Sequence, residues 1–137
     1  MSTTENKQLM LDIFSELAKG NGKPFAEAMA EDMQWTWMGT AQWFKTFEGK
    51  ASVLKELLGP LDTMLTEPFR VVAHRFIADG DYVAVEACGQ NTTLEGATYN
   101  NKYCWVCRIA EGKLQELNEY MDTELVTAIF SASSAPK

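Results

Sequence analysis

The residues of this chain best suited to chemistry lie between Tyr99 and Thr123. Asn101, Tyr103 and Trp105 occupy alternate positions, so on an extended strand they share one face. Turned inward, Asn101 and Tyr103 could donate hydrogen bonds to a ligand carbonyl or a developing enolate. Turned outward, they would be cross-strand partners or dimer contacts. Asp122 closes the run Glu119-Tyr120-Met121-Asp122. A carboxylate in an apolar cavity has its pKa raised towards working pH by desolvation, which suits acid–base work. The competing reading is a strand-end carboxylate that bonds nearby backbone or Arg75. His74 is the single histidine. It is either an acid, base or orienter of Asp122, or a hydrogen-bonded wall residue. Trp35 and Trp37 also share a strand face and read as a wall for a flat, apolar or aromatic ligand, or as plain core. Tyr120 completes the set of candidate ligand contacts. Glu86 reads as an exposed residue or a partner for Arg75, with a second pocket carboxylate as the alternative.

Other motifs fall away on geometry. Cys104 and Cys107 match a C-x-x-C spacing, but three apart on a strand they point to opposite faces and cannot pair. With one histidine and thiols so divided, no usual zinc set forms, and no metal is expected. There is no Gly-rich phosphate loop, nucleophile elbow or dinucleotide fingerprint, and no cofactor is expected.

The elements that must position these residues follow from the apolar spacing. Leu9, Met10, Ile13, Phe14 and Leu17 recur at threes and fours, which predicts a first helix that stops near Lys19 before Gly20-Asn21-Gly22. Pro24 suits the first turn of a short second helix. Met33 to Met38 alternates around Trp35 and Trp37 as a strand, and 39–49 reads as irregular. A third helix presents Val53, Leu54, Leu57, Leu58 and Leu61. Strands are then expected over Phe69–Ala78, Tyr82–Asn91, Tyr99–Ala110 and Lys113–Asp122. The connections between them are Asp79-Gly80-Asp81 and Glu111-Gly112. A last helical turn to Phe130 and a flexible tail over 131–137 complete the chain, giving one domain over 1–130. Helices followed by strands indicate α+β with an antiparallel sheet.

Size and charge bound the partners. A chain of 137 residues, 46% hydrophobic, suits one compact core. A net charge of −7 argues against a nucleic-acid partner. No apolar run reaches the length of a membrane helix, and the N-terminal residues do not read as a signal peptide. Three cysteines without an export signal suggest reduced thiols and a cytoplasmic protein.

Taken in order, several local runs carry a family resemblance: Ala30-Glu31-Asp32, Phe47-Glu48-Gly49-Lys50, Asp79 to Glu86, Tyr99-x-Asn101-x-Tyr103, Gly112-Lys113-Leu114 and Glu119-Tyr120-x-Asp122-Thr123. Together they resemble the SnoaL-like, ketosteroid isomerase-related branch of the nuclear transport factor 2-like superfamily. That resemblance implies a curved antiparallel sheet wrapped around N-terminal helices as a cone with one deep pocket, commonly homodimeric. It also implies that Asp122 matches the general base of the family's polyketide cyclases. A steroid isomerase mechanism is disfavoured, because Ile13 and Phe14 stand where its tyrosine is expected and Trp37 where its base is expected. The expected function is a pocket that binds an apolar carbonyl compound, with cofactor-independent proton transfer of isomerase or cyclase type at Asp122, His74 and Tyr103. The alternative is a non-catalytic ligand-binding or dimeric accessory protein.

Overall fold

Chain order and apolar periodicity build a layer of helices over one sheet. The computed structural model describes residues 2–134, with side chains through Ser131. Helix α1 (Thr3–Leu17) starts at a capping box: Ser2 Oγ accepts from Glu5 N–H and Glu5 Oε1 accepts from Ser2 N–H. Its buried stripe is Met10, Ile13, Phe14 and Leu17, laid on the sheet at β3 (Val71–Asp79) and β4 (Tyr82–Gly89). Helix α2 (Lys23–Ala28) carries Pro24 in its first turn and buries Phe25.

The sheet has the order β2-β1-β6-β5-β4-β3 and is curved and unclosed. Besides β3 and β4 it contains β1 (Met29–Trp37), β2 (Thr46–Glu48), β5 (Lys102–Ala110) and β6 (Lys113–Met121). The expected α+β class holds. All pairings are antiparallel except β1 with β6, where Trp35 lies opposite Leu117. Glu111 and Gly112 both have positive φ (54° and 74°), as a two-residue hairpin of the primed type requires. Tyr103, Trp105, Cys107 and Ile109 alternate inward along β5 and are buried. On β6 a register shift opposite Arg108/Ile109 changes the phase, after which Leu117 and Glu119 point inward.

The structure departs from the sequence expectations at several boundaries. Strand β1 begins four residues before Met33. Part of the segment read as irregular is β2, which sets Phe47 opposite Trp35. The third helix is three pieces: α3 (Lys50–Ser52), a π-helical turn (Val53–Leu58) and α4 (Gly59–Met64). In the π-turn Gly59 N–H reaches back five residues to Leu54 O. Pro60 follows with no N–H and would crowd the carbonyl four residues before it in a regular ladder. Strand β5 begins at Lys102, and Tyr99 sits buried in the connection before it. Helix α5 (Thr123–Ser134) runs past the boundary expected at 130. Residues 135–137 of the expected tail lie outside the described residues.

Candidate functional site

Among the described residues Glu119 is the one carboxylate inside the core, on β6 two residues beyond Leu117. It is 3% exposed. Its two oxygens are held separately: Oε1 accepts from Trp35 Nε1–H at 2.9 Å and Oε2 from Trp105 Nε1–H at 3.0 Å. Strands β1 and β5 flank β6, so each delivers one indole to the carboxylate between them. Phe25 packs against both indoles, stacked on Trp105 with ring centroids 5.5 Å apart. The indole of Trp37 approaches the same carboxylate closely enough to favour its charged form, yet it does not reach hydrogen-bonding geometry. Its Nε1–H is buried and has no acceptor. Burial outweighs the indole bonds and raises the Glu119 pKa to about 7.

Two phenols complete the surroundings. Burial, then the neighbouring charge of Glu119, pushes Tyr99 up to about 12. Tyr103 is held well above its ordinary value, by burial first and then by Tyr99 and Glu119. Both therefore stay protonated, and their hydroxyls lie close enough to influence each other. A carboxyl that titrates near neutrality beside neutral donors is a set able to move a proton and stabilise an enolate oxygen.

One small chamber touches this set, and a larger cavity adjoins that chamber across Trp37, Leu57 and Leu61. The inner chamber touches Glu119, Tyr99, Tyr103, Trp35 and Trp37 and has a volume of about 10 Å³, enough for one water-sized group. The outer cavity is about 670 Å³, within the range of small-molecule sites. Trp43, Phe47 and Phe130 line it, with Lys45 and Glu56 among its polar residues. Trp37, Leu57 and Leu61 line both cavities and form the wall between them. Phe130 of α5 closes one side, with centroids 5.5 Å from Trp37, 5.9 Å from Trp43 and 6.2 Å from Tyr99.

Trp35, Trp37, Tyr103 and Trp105 thus converge on one region. Asn101 is buried too, but its amide is engaged with backbone. Its Oδ1 accepts from Lys102 N–H and Asp122 N–H, and its Nδ2 donates to Asp122 O. Asp122 does not join the cluster. It is exposed beyond the end of β6, and its Oδ1 accepts from Glu124 N–H and Leu125 N–H at the start of α5. That is an N-cap, the backbone-bonding reading of this residue. His74 is exposed where β3 bulges between Ala73 and Arg75, and Tyr120 is 45% exposed on the outer face. The buried carboxylate is therefore Glu119, not Asp122, and neither His74 nor Tyr120 reaches it. Glu86 forms an exposed pair with Arg75 at 2.9 Å. Cys107 is buried and Cys104 half-buried, on opposite faces.

Strand parity was the signal for Glu119. Counting inward from Leu117 in steps of two reaches Glu119 and leaves Asp122 on the other phase. The indole donors carried no such signal, because only the sheet order brings Trp35 and Trp105 to either side of β6. Among the described residues no group of three or more His, Cys, Asp or Glu gathers as metal ligands.

Comparison with known proteins follows this geometry. A family profile described as a SnoaL-like domain matches residues 11–117. A search of curated proteins found no relative. Similar solved structures include an NTF2-like protein from Burkholderia xenovorans LB400, 25% identical, with TM-score 0.71, covering 94% of this chain and 98% of that one. A putative SnoaL-like polyketide cyclase from Jannaschia sp. CCS1 is 19% identical, with TM-score 0.73, over 98% of this chain and 94% of that one. TerC, co-crystallised with polyporic acid, is 23% identical, with TM-score 0.75, over 92% and 98%. These structures share the cone architecture.

Proposed function

The chain belongs to the SnoaL-like domain family, and from that premise we propose that it binds an apolar carbonyl compound and catalyses cofactor-independent proton transfer of the isomerase or cyclase type. The observation that carries this reading is Glu119, a carboxyl buried among aromatic rings with its pKa raised to about 7. In the proposed reaction the ionised carboxylate takes a proton from the carbon next to the ligand carbonyl. Charge then develops on the carbonyl oxygen, where Tyr99 or Tyr103 donates to it, and the carboxylic acid returns the proton at a second position. The structural neighbours named as a putative SnoaL-like polyketide cyclase and as a putative isomerase from Bacillus subtilis support this class of chemistry.

Solvent deuterium exchange tests it. Aromatic ketones with exchangeable α-hydrogens are incubated in heavy water and followed by proton NMR. The wild type should speed exchange over buffer, and Glu119→Gln should not, at matched near-ultraviolet circular dichroism. A wild type that binds the ketones without speeding exchange overturns the catalytic reading. One observation favours that second reading, a binding protein without turnover: both Glu119 oxygens already accept indole bonds.

A homodimer is part of the proposal. The outer sheet face carries Val106 and Tyr120, with Ile77 at 58% and Tyr82 at 48% exposure, around the Arg108–Glu116 pair. A second copy would cover this surface, and sedimentation as a monomer at micromolar concentration refutes it. No helix among the described residues is long and apolar enough to cross a membrane. The three free thiols, Cys88, Cys104 and Cys107, support a cytoplasmic location.

A further inference from the structure

Among the described residues the indole N–H of Trp37 is one of three buried side-chain polar atoms without a partner, with Asn6 Oδ1 and Arg70 Nε, and of these only Trp37 lines the two cavities at Glu119. Leaving a buried donor unpaired is costly, whereas Trp35 and Trp105 both spend theirs on Glu119. Trp37 also lines both cavities, with Leu57 and Leu61. Its N–H lies beside Glu119 on the inner side, and its ring contacts Phe130 and Phe47 on the side of the outer cavity. The inner chamber has the size of one water, which is also the size of a carbonyl oxygen. The outer cavity has room for a bicyclic ring system between faces that are themselves aromatic.

We infer that the two cavities are one site for a flat aromatic ketone: the rings lie in the outer cavity against Trp43, Phe47 and Phe130, and the carbonyl oxygen enters the chamber to accept from Trp37 Nε1–H. Entry requires Leu57 and Leu61 to part. Leu57 stands on the π-helical turn, where the hydrogen bonding departs from the regular α-helical ladder. Trp37 is then a specificity residue that selects a carbonyl over a plain arene. This deepens the proton-transfer reading by naming its substrate class, but it concerns occupancy alone and is tested without turnover.

The probes are 2-acetonaphthone, which has the carbonyl, and naphthalene, which has only the rings. Binding to the full chain is followed by tryptophan fluorescence, and the indole N–H resonances are followed by ¹H–¹⁵N correlation spectra. The wild type should bind both probes and prefer the ketone. In Trp37→Phe the ketone should weaken about threefold to tenfold, the worth of one neutral hydrogen bond, while naphthalene changes less than twofold. In the wild-type spectrum one indole resonance should move downfield with the ketone and stay in place with naphthalene, and it should be the one lost in Trp37→Phe. Equal weakening of the two probes, an unmoved indole resonance, or no binding of either probe overturns the inference. If Trp37→Phe fails to fold, the wild-type spectra decide alone. Binding of this pattern without deuterium exchange refutes the catalytic reading and leaves this one standing.

Discussion

Replacing Glu119 by Gln should change how stability depends on pH. In the unfolded chain this carboxyl has the ordinary value of 4.5, and burial in the folded protein raises it to about 7. The folded state therefore holds the proton more tightly, so stability is greatest below the unfolded pKa and falls as pH rises through the folded one. The separation corresponds to roughly 3 kcal/mol over the full titration, of which about 2 to 3 kcal/mol falls between pH 5 and pH 8. Gln keeps the shape without the charge. Its carbonyl can accept from one indole, but its NH₂ must face the other donor, at a pH-independent cost of about 1–3 kcal/mol. Urea unfolding of both proteins from pH 5 to pH 8 measures the difference, in which all other titrating groups cancel. The wild type should be the more stable at pH 5, and its advantage should shrink by about 2 kcal/mol or more, reaching zero or inverting near pH 8. Parallel profiles over this range would show that Glu119 titrates as it does in the unfolded chain, and the argument from burial would fail.

Other outcomes follow from the same geometry. Asp122→Ala should cost about 1 kcal/mol through the lost cap of α5, yet leave ketone exchange unchanged; a loss of exchange with the fold intact would return the acid–base role to Asp122. Leu57→Ala should destabilise by about 2–5 kcal/mol and join the cavities. Stopped-flow fluorescence should then show faster ketone entry, and an unchanged on-rate would mean that Leu57 is no part of the portal. Asn101→Ala should cost about 2 kcal/mol or more, since three backbone groups lose their partner; urea unfolding measures it. A thiol reagent should reach Cys104 before Cys107, whose thiol burial pushes up, and mass spectrometry of the labelled peptides gives the order.

The fold was legible because its signals are local. The stripe Met10, Ile13, Phe14, Leu17 specifies a helix whatever it packs on, and Glu111-Gly112 specifies a hairpin. Alternation along β5 correctly grouped Tyr103 with Trp105 and divided Cys104 from Cys107. The site was less legible because its geometry is non-local. Asp122 resembles the base of related cyclases in position, but strand phase and the start of α5 turn it to solvent. Glu119 is one of two carboxylates on β6, beside Glu116, and the sequence does not mark its indole partners. The π-turn at Val53–Leu58 has the same apolar spacing as a regular helix, so the pattern alone could not distinguish them.

The parallel contact between β1 and β6 has a consequence for how the protein is made. Trp35 meets its carboxylate partner 84 positions later in the chain. Until β6 leaves the ribosome, β1 has only the three-residue β2 beside it, too little to hold a sheet. The β1–β6 pairing is thus available only once the last strand has been made, and loop closure over that span makes it slow. Newly made N-terminal halves expose Trp35 and Trp37 to other chains. Nascent-chain aggregation should therefore be governed by the interval before β6 emerges, and the same residues that build the pocket are the ones a chaperone would shield.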